Sequence, residues 1–491
     1  MMKNLRSAIN VVVLSLVLIS TESSPTVCII GSGIGGSSVA HFLRTYSNSE
    51  IGTIRIFERH EAVGGRMATV TISGETFEAG ASILHPKNYH ALNYTKYLNL
   101  SVRPSESDSS FGIWDGREFV FKTFTSQSKL PIFQSIVSFA NSILFFFRYG
   151  FSLFRMNTFV EGTVDSFLKY YKSFESRPVF ETVEEMLKWS GLYNMTKQTL
   201  QEELLDAGLS PRLIQELVMV ITRINYGQSV SISGLAGAVS LAGSTKGLWS
   251  VEGGNQQMAA GLINHSDVKL HLNEEVKSVS FLGGNYQLNT SKGKIYPCGI
   301  TVVGTPLDEL KIHFLPEISI PERKLQHTYT TFVRGLLNPA YFALGSISDI
   351  PKLVGTVETP DVPFSSISVI KKHKDNDMTY KVFSRRSLDD ALLDQIFSVR
   401  NETVRIDWAA YPHYHAPEVF APFILDGQHL YYVNAFENAA STMETSAVAG
   451  ENIARLILSR LTGRKHLSSA KLESFGDDAY DVHADLSKSL L

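Results

Sequence analysis

The 491-residue sequence predicts an α/β chain in which a parallel-sheet domain is interleaved with an α+β domain. Three observations predict it. An apolar strand, a glycine-rich turn, a helix and a second strand follow one another within residues 26–58. That alternation is lost from Leu100 to Glu185. A strand and a capped helix then return at 430–461. The length corresponds to roughly three domain-sized units. A chain that is 44% hydrophobic and 19% charged can build a large core, which excludes a disordered or collagen-like protein. A net charge of −3 supplies no basic field, so no nucleic-acid partner is expected. Fourteen histidines would reverse that sign in an acidic compartment.

The chain opens with Lys3 and Arg6, an apolar run from Ala8 to Ile19, and small polar residues at 20–24. This is the pattern of a cleavable signal peptide, placed at 1–23, and its greasy part is short for a spanning helix of about 20 residues. Asn-x-Ser/Thr triplets at Asn93, Asn99, Asn194, Asn264, Asn289 and Asn401 are the expected glycosylation sites of such a secretory protein. Cys28 and Cys298 are the only cysteines. They are expected as two buried thiols, because Cys28 lies inside an apolar strand, with a single disulfide as the alternative. No His, Cys and carboxylate cluster has ligand spacing, so no metal is expected.

Thr26–Ile30 is β-branched and apolar, a buried parallel strand, and it runs straight into Gly31-Ser-Gly33-Ile-Gly-Gly36. Gly31 permits the tight turn. Gly33 lets the backbone approach a pyrophosphate, and Gly36 lets the following helix pack closely on the strand. The helix N-terminus offers free N–H groups to phosphates. A second strand, Thr53–Phe57, ends in Glu58, 22 residues past Gly36, where an acid can accept hydrogen bonds from both ribose hydroxyls. Together these residues indicate dinucleotide binding.

The rest of the chain divides as follows. Residues 24–100, 226–310 and 405–465 are expected to form the nucleotide-binding domain, 101–225 and 311–404 the α+β substrate domain, and 466–491 a polar tail. From Pro131 to Phe147 there is no charged residue, and Arg148 and Arg155 follow. This segment reads either as a buried helix of the substrate domain or as a helix resting on a membrane surface, with peripheral contact through 131–155. Strands are expected at 268–272, 275–281, 286–288, 295–303 and 430–434. Ser441-Thr-Met-Glu444 reads as a capping box opening a helix to about Leu461.

The run from Glu58 to Gly64-Gly65-Arg66 resembles the second fingerprint of the flavoproteins that include amine oxidases and phytoene-type desaturases. That resemblance implies FAD, with Gly65 and Arg66 against the diphosphate and flavin, Gly80 and Ser82 on a strand end beneath the ring, and Val276 at the adenine. More specific runs are Arg223-Ile-Asn-Tyr-Gly-Gln228, Gly247–Asn255, Ala410-Tyr-Pro-His-Tyr414 and Ala439–Glu444, with Glu78–Ser82 and His85-Pro86. With them the chain resembles the prenylcysteine oxidase family, including its plant farnesylcysteine lyase branch. Ala435-Phe436 stands where many such flavoproteins keep a glycine before the equivalent of Glu437. The resemblance adds Glu437 and Met443 to the cofactor residues and places the protein in a lysosome or vacuole lumen, with secretion as the alternative.

What the resemblance implies is FAD-dependent cleavage of the thioether of free farnesylcysteine or geranylgeranylcysteine. The products would be cysteine, a prenyl aldehyde and hydrogen peroxide, with oxygen as acceptor, during breakdown of prenylated proteins. Hydride removal from the allylic carbon next to sulfur is chemically accessible, because sulfur and the double bond both stabilise the cation. His413 and Tyr411 are candidates at the reacting centre, and His85 is a third; each histidine reads first as a structural, hydrogen-bonded group. Arg223 is a candidate clamp for the substrate carboxylate or one half of a buried ion pair, and Tyr226 a substrate neighbour. The rival readings are a flavin amine oxidase or carotenoid-type desaturase, and a flavoprotein that carries prenyl lipids without turnover.

Overall fold

The structure is a computed structural model, and it describes residues 24–463 apart from 106–109, 126–130, 173–175 and 375. The expected signal peptide at 1–23 and the polar tail at 466–491 lie outside the described residues.

The strand β1 (Val27–Ile30) is buried at every position, because parallel neighbours flank it on both sides. One is β2 (Ile54–Phe57) and the other is Ile300–Val303. The sheet is completed by 268–271 beyond β2 and 430–432 beyond 300–303, all parallel. Such a sheet needs apolar residues on both faces, which is why its strands read as continuous hydrophobic runs. The helix α1 (Ile34–Tyr46) follows β1 and packs on the last helix, Met443–Thr462. A four-stranded meander of 276–282, 285–290, 295–298 and 313–315 lies beside this sheet.

The second body is a seven-stranded sheet in the order 397–412, 325–337, 377–384, 366–374, 353–356, 111–114, 119–122. Helices between 131 and 242 cover its last strands, with Val220 packed against Ile113 and Phe121. Two of the expected limits move. Residues 405–412 are the end of a sixteen-residue strand of this sheet, so the nucleotide-binding part returns only after Pro412. The helix Gly234–Ala242 packs among the covering helices, with Ala236 and Leu241 in their core, so the preceding return falls at Trp249 rather than at 226.

Three further expectations are corrected. Cys28 and Cys298 form a disulfide, with Cα atoms 5.9 Å apart. The physical reason is register: Val27 sits opposite Ile300, and Gly299 and Ile300 both donate to Thr26 O, which delivers Cys298 to the flank of β1. The capping box lies one residue later, with Thr442 as N-cap and Thr445 as its partner. Glu444 is spent elsewhere, accepting from the N–H groups of His90 and Ala91 and from the Tyr171 hydroxyl. The helix Pro131–Tyr149 is not a buried core helix. Its inner face packs through Phe145 and Tyr149, while Phe139 and Phe147 on its outer face are 69% and 83% exposed.

Candidate active site

The glycine turn after β1 is shaped by two close approaches. A Cβ on Gly36 would lie 2.2 Å from Gly31 O, so only glycine lets α1 start this close to the strand. Gly33 and Gly65 face each other with bare Cα atoms: a Cβ on Gly65, whose φ is +57°, would already lie 3.4 Å from Gly33 Cα. The first turn of α1 has no side-chain cap and no acidic residue. Its N–H groups and its positive dipole end are left for an anion. Glu58 is buried at the end of β2, accepting from Ser32 N–H (3.2 Å), Ser32 Oγ (2.6 Å) and His60 N–H (3.0 Å). The N–H of Glu274 donates to Glu58 O, which brings the start of strand Val276–Leu282 beside that acid. Gly31, Gly33, Gly36, Glu58, Gly65 and Val276 thus gather at one end of the parallel sheet.

A charged wall continues from this cradle. Arg66 pairs with Glu437 Oε1 and donates to Ala410 O at 2.7 Å, and Arg323 pairs with Glu437 Oε2 at 3.0 Å. Glu437 is 4% exposed; burial alone would raise its pKa, but the two guanidiniums hold it down at about 2. Arg66, expected on the diphosphate, is therefore held by a carboxylate on the chain. Gly80 admits the backbone of Arg66: a Cβ there would lie 2.3 Å from Arg66 O. Ser82 accepts from Lys381 Nζ at 2.8 Å, and the same amine donates to Glu78 O. Burial lowers the Lys381 pKa to about 8. Trp408 reaches this wall, within 4.0 Å of the Gly80 Cβ position, and its buried Nε1 donor has no partner among the described residues. Met443 opens the last helix. The uncapped helix start, the bare glycine cradle and the orphaned indole donor fit a dinucleotide with an attached ring system.

An aromatic box adjoins the wall. Tyr226 meets Tyr411 at 4.9 Å and Tyr414 at 5.1 Å between ring centroids, both edge-on. Tyr226 donates to Ser441 O, and Tyr414 accepts from Ser441 N–H, so both phenols are oriented by the loop that enters the last helix. Burial pushes all three phenols up, so they stay protonated and do not act as bases. An aliphatic cluster including Leu213, Ile214, Val218 and Ile232 packs with Tyr226 and Tyr414.

The remaining candidates are placed apart from this box. Arg223 is 3% exposed and pairs with Glu358 at 2.6 Å while also donating to Thr356 and Phe364 O. Of its two readings the structure takes the buried ion pair, because every arm of the guanidinium is occupied. His85 fixes the turn into the helix Tyr89–Tyr97: its Nδ1 accepts from Lys87 N–H, and its carbonyl accepts from Trp249 Nε1. Burial lowers its pKa to about 4, so it is neutral. His413 lines an open cavity of about 700 Å³ with His415, Glu418, Asn438 and the wall residue Arg323. Sequence reasoning missed Arg323, Lys381 and Trp408. A lysine or tryptophan inside a strand carries no local signal of what it will face.

A parallel sheet ending in a bare cradle, followed by a charged wall and an aromatic box, is the design of a flavoprotein oxidoreductase. Solved oxidases share the fold: a putrescine oxidase redesigned for cofactor binding (TM-score 0.59, 14% identity, 89% of this chain and 99% of that one), and cyclohexylamine oxidase from Brevibacterium oxydans (TM-score 0.58, 16% identity, 89% and 100%). The chain belongs to the prenylcysteine lyase family, whose model matches residues 132–470, and an NAD(P)-binding Rossmann-like domain model matches 29–98. It is 66% identical to farnesylcysteine lyase of Arabidopsis thaliana over 462 residues, 93% of this chain and 92% of that protein. It is 34% identical to prenylcysteine oxidase 1 of Homo sapiens over 469 residues, 89% of each chain.

Proposed function

We propose that this protein oxidatively cleaves the thioether of free farnesylcysteine and geranylgeranylcysteine with FAD, oxygen and water, water supplying the aldehyde oxygen, and releases cysteine, a prenyl aldehyde and hydrogen peroxide. The observation that carries the reading is the 66% identity to a farnesylcysteine lyase over 93% of the chain. Bound FAD supplies the two-electron acceptor for the allylic carbon. The α1 start, Gly33 and Gly65 would hold its diphosphate, Glu58 its ribose, and Gly80, Ser82, Trp408 and the Met443 helix start its ring. Arg66 and Arg323 keep Glu437 ionised and fixed between them. The three tyrosines would border the reacting carbon and tolerate positive charge developing beside sulfur.

The setting belongs to the same proposal: the lumen of a lysosome or vacuole, or the secreted fluid. The Cys28–Cys298 disulfide supports an oxidising compartment. Asn99, Asn194, Asn264 and Asn401 are exposed, which suits glycosylation. Asn93 is half-buried, and Asn289 donates its amide to Ser278. Peripheral membrane contact through 131–155 completes the reading.

The test is peroxide release by the purified, FAD-loaded protein against farnesylcysteine, geranylgeranylcysteine, N-acetylated farnesylcysteine and a polyamine. Turnover of the first two is expected, with bleaching of the bound flavin when oxygen is excluded. Peroxide from the polyamine alone would reverse the assignment to an amine oxidase. Bleaching by none of them would favour a carrier.

A further inference from the structure

We infer that the elbow formed by the helices Pro131–Tyr149 and Ser152–Phe167 docks on an anionic lipid bilayer, with its bare aromatic face among the acyl chains, and receives the prenyl substrate from that leaflet. The second half rests on the prenylcysteine reading; the docking itself does not.

Four observations carry it. From Pro131 to Val160 the chain has no aspartate or glutamate, and its only charges are Arg148 and Arg155. Ile136, Phe139, Ile143 and Phe147 recur at helical spacing on the outer face, and Phe151 and Phe154 continue the exposed surface past the turn. Phe147 and Phe151 are 83% and 70% exposed, and the rings of Phe146, Phe151 and Phe154 follow one another at 5.5 Å and 6.3 Å. Such contiguous aromatic exposure on a folded domain marks an interaction surface.

The elbow suits a surface better than a span. Among the described residues no single helix is long and apolar enough to cross a membrane, and the two helices are bent by 96° at Gly150. Charge completes the match. Arg155 is exposed beside the aromatics, and the bond from Ser210 N–H to Ser152 Oγ brings exposed Arg212 to the same end. Basic residues rimming an apolar face are attracted by anionic headgroups.

The inner face gives the docking a purpose. Phe145 packs on Phe121 at 4.6 Å, and Tyr149 is buried in the same cluster as Tyr226 and Tyr414. One element therefore carries exposed aromatics outside and, through Tyr149, joins inside the hydrophobic cluster that holds Tyr226 and Tyr414. A farnesyl chain partitions strongly into acyl regions, so a site approached from the leaflet meets substrate already concentrated there.

The experiment floats the glycosylated, FAD-loaded full chain with vesicles of phosphatidylcholine containing about 30% phosphatidylserine, against phosphatidylcholine alone. The wild type should co-float with the anionic vesicles and be released by alkaline carbonate. The double variant Phe147→Glu, Phe151→Glu should lose vesicle binding by about tenfold or more. It should turn over vesicle-borne farnesylcysteine correspondingly more slowly, with unchanged Tm and unchanged rate on a water-soluble, short-chain S-prenylcysteine. Docking is overturned if the wild type ignores vesicles, if the variant binds as well, or if carbonate fails to release it. A dimer that the variant dissociates would assign the face to a second copy and overturn it too. Turnover of soluble prenylcysteine without vesicle binding sinks the docking alone. Vesicle binding without turnover of any prenylcysteine sinks the proposed reaction and its delivery half, and leaves the docking standing.

Discussion

The parallel-sheet body and the helical elbow break opposite rules. Around the sheet, charge goes inside: Glu58, Glu437, Glu444, Glu451 and Arg455 are all buried, each with a named partner on the chain. At the elbow, apolar surface goes outside, with seven large side chains exposed along a segment that carries no acid. Buried charge costs stability unless it is paired, and exposed aromatics add little to a soluble fold. The paired charges therefore belong to the folding of the sheet body, whereas the exposed aromatics of the elbow have no such role and point to an apolar partner.

The comparison breaks most sharply at Gly36. A valine there puts Cβ at 2.2 Å from Gly31 O, so G36V should fail to give yellow holoprotein, with a stability loss of about 3 kcal/mol or more where it folds at all. Flavin absorbance per protein and Tm read it. Next is Glu437→Ala, which leaves Arg66 without a carboxylate partner and Arg323 with Asp308 alone. A loss of about 3–5 kcal/mol, with faster FAD release, is expected by thermal melts and flavin fluorescence.

A smaller effect separates two carboxylates of the same body. Glu437 lies between guanidiniums and is held at about 2, so its contribution is complete above the ordinary carboxylate range and is lost only as pH falls through 2. Glu418 is also buried, but its partners are His415 N–H and the Asn438 amide, and burial pushes it up to about 8. Its contribution is therefore fully present below its ordinary value of 4.5 and is lost as pH rises through 8. Glu418→Gln should flatten the decline in Tm between pH 5 and pH 8, an effect on the order of a few kcal/mol. An unchanged decline would remove Glu418 from the account. The smallest effect sharpens the elbow: Phe147→Ser should change stability by less than about 0.5 kcal/mol, because the ring makes little contact to lose. A large drop in urea melts would show that this face is covered within the protein.

Much of the βαβ cradle was legible in the sequence because its demands are local. A turn that must pass within van der Waals range of its own helix start accepts only glycine, and an acid closing the second strand stands at a fixed distance from that turn. The segment 131–147 shows what pattern alone leaves open. Absence of charge made it apolar, yet a buried helix and a surface helix have the same composition. Only the packing of Phe145 and Tyr149 on one side, and the exposure of Phe139 and Phe147 among the described residues on the other, distinguishes them. Arg223 is similar: its chemistry allowed a substrate clamp, and Glu358, distant in sequence, occupies it.

By itself the sequence determined the βαβ cradle, the family and the greasy stretch, since strand runs, glycine spacing and hydrophobic continuity act over a few residues. Tertiary structure alone decided that Cys28 meets Cys298 across 270 residues, that Arg66 and Arg323 share Glu437, and that Trp408 and Lys381 reach the wall beneath Gly80 and Ser82. Those contacts depend on sheet register and on how two bodies close over one another, which no local pattern encodes.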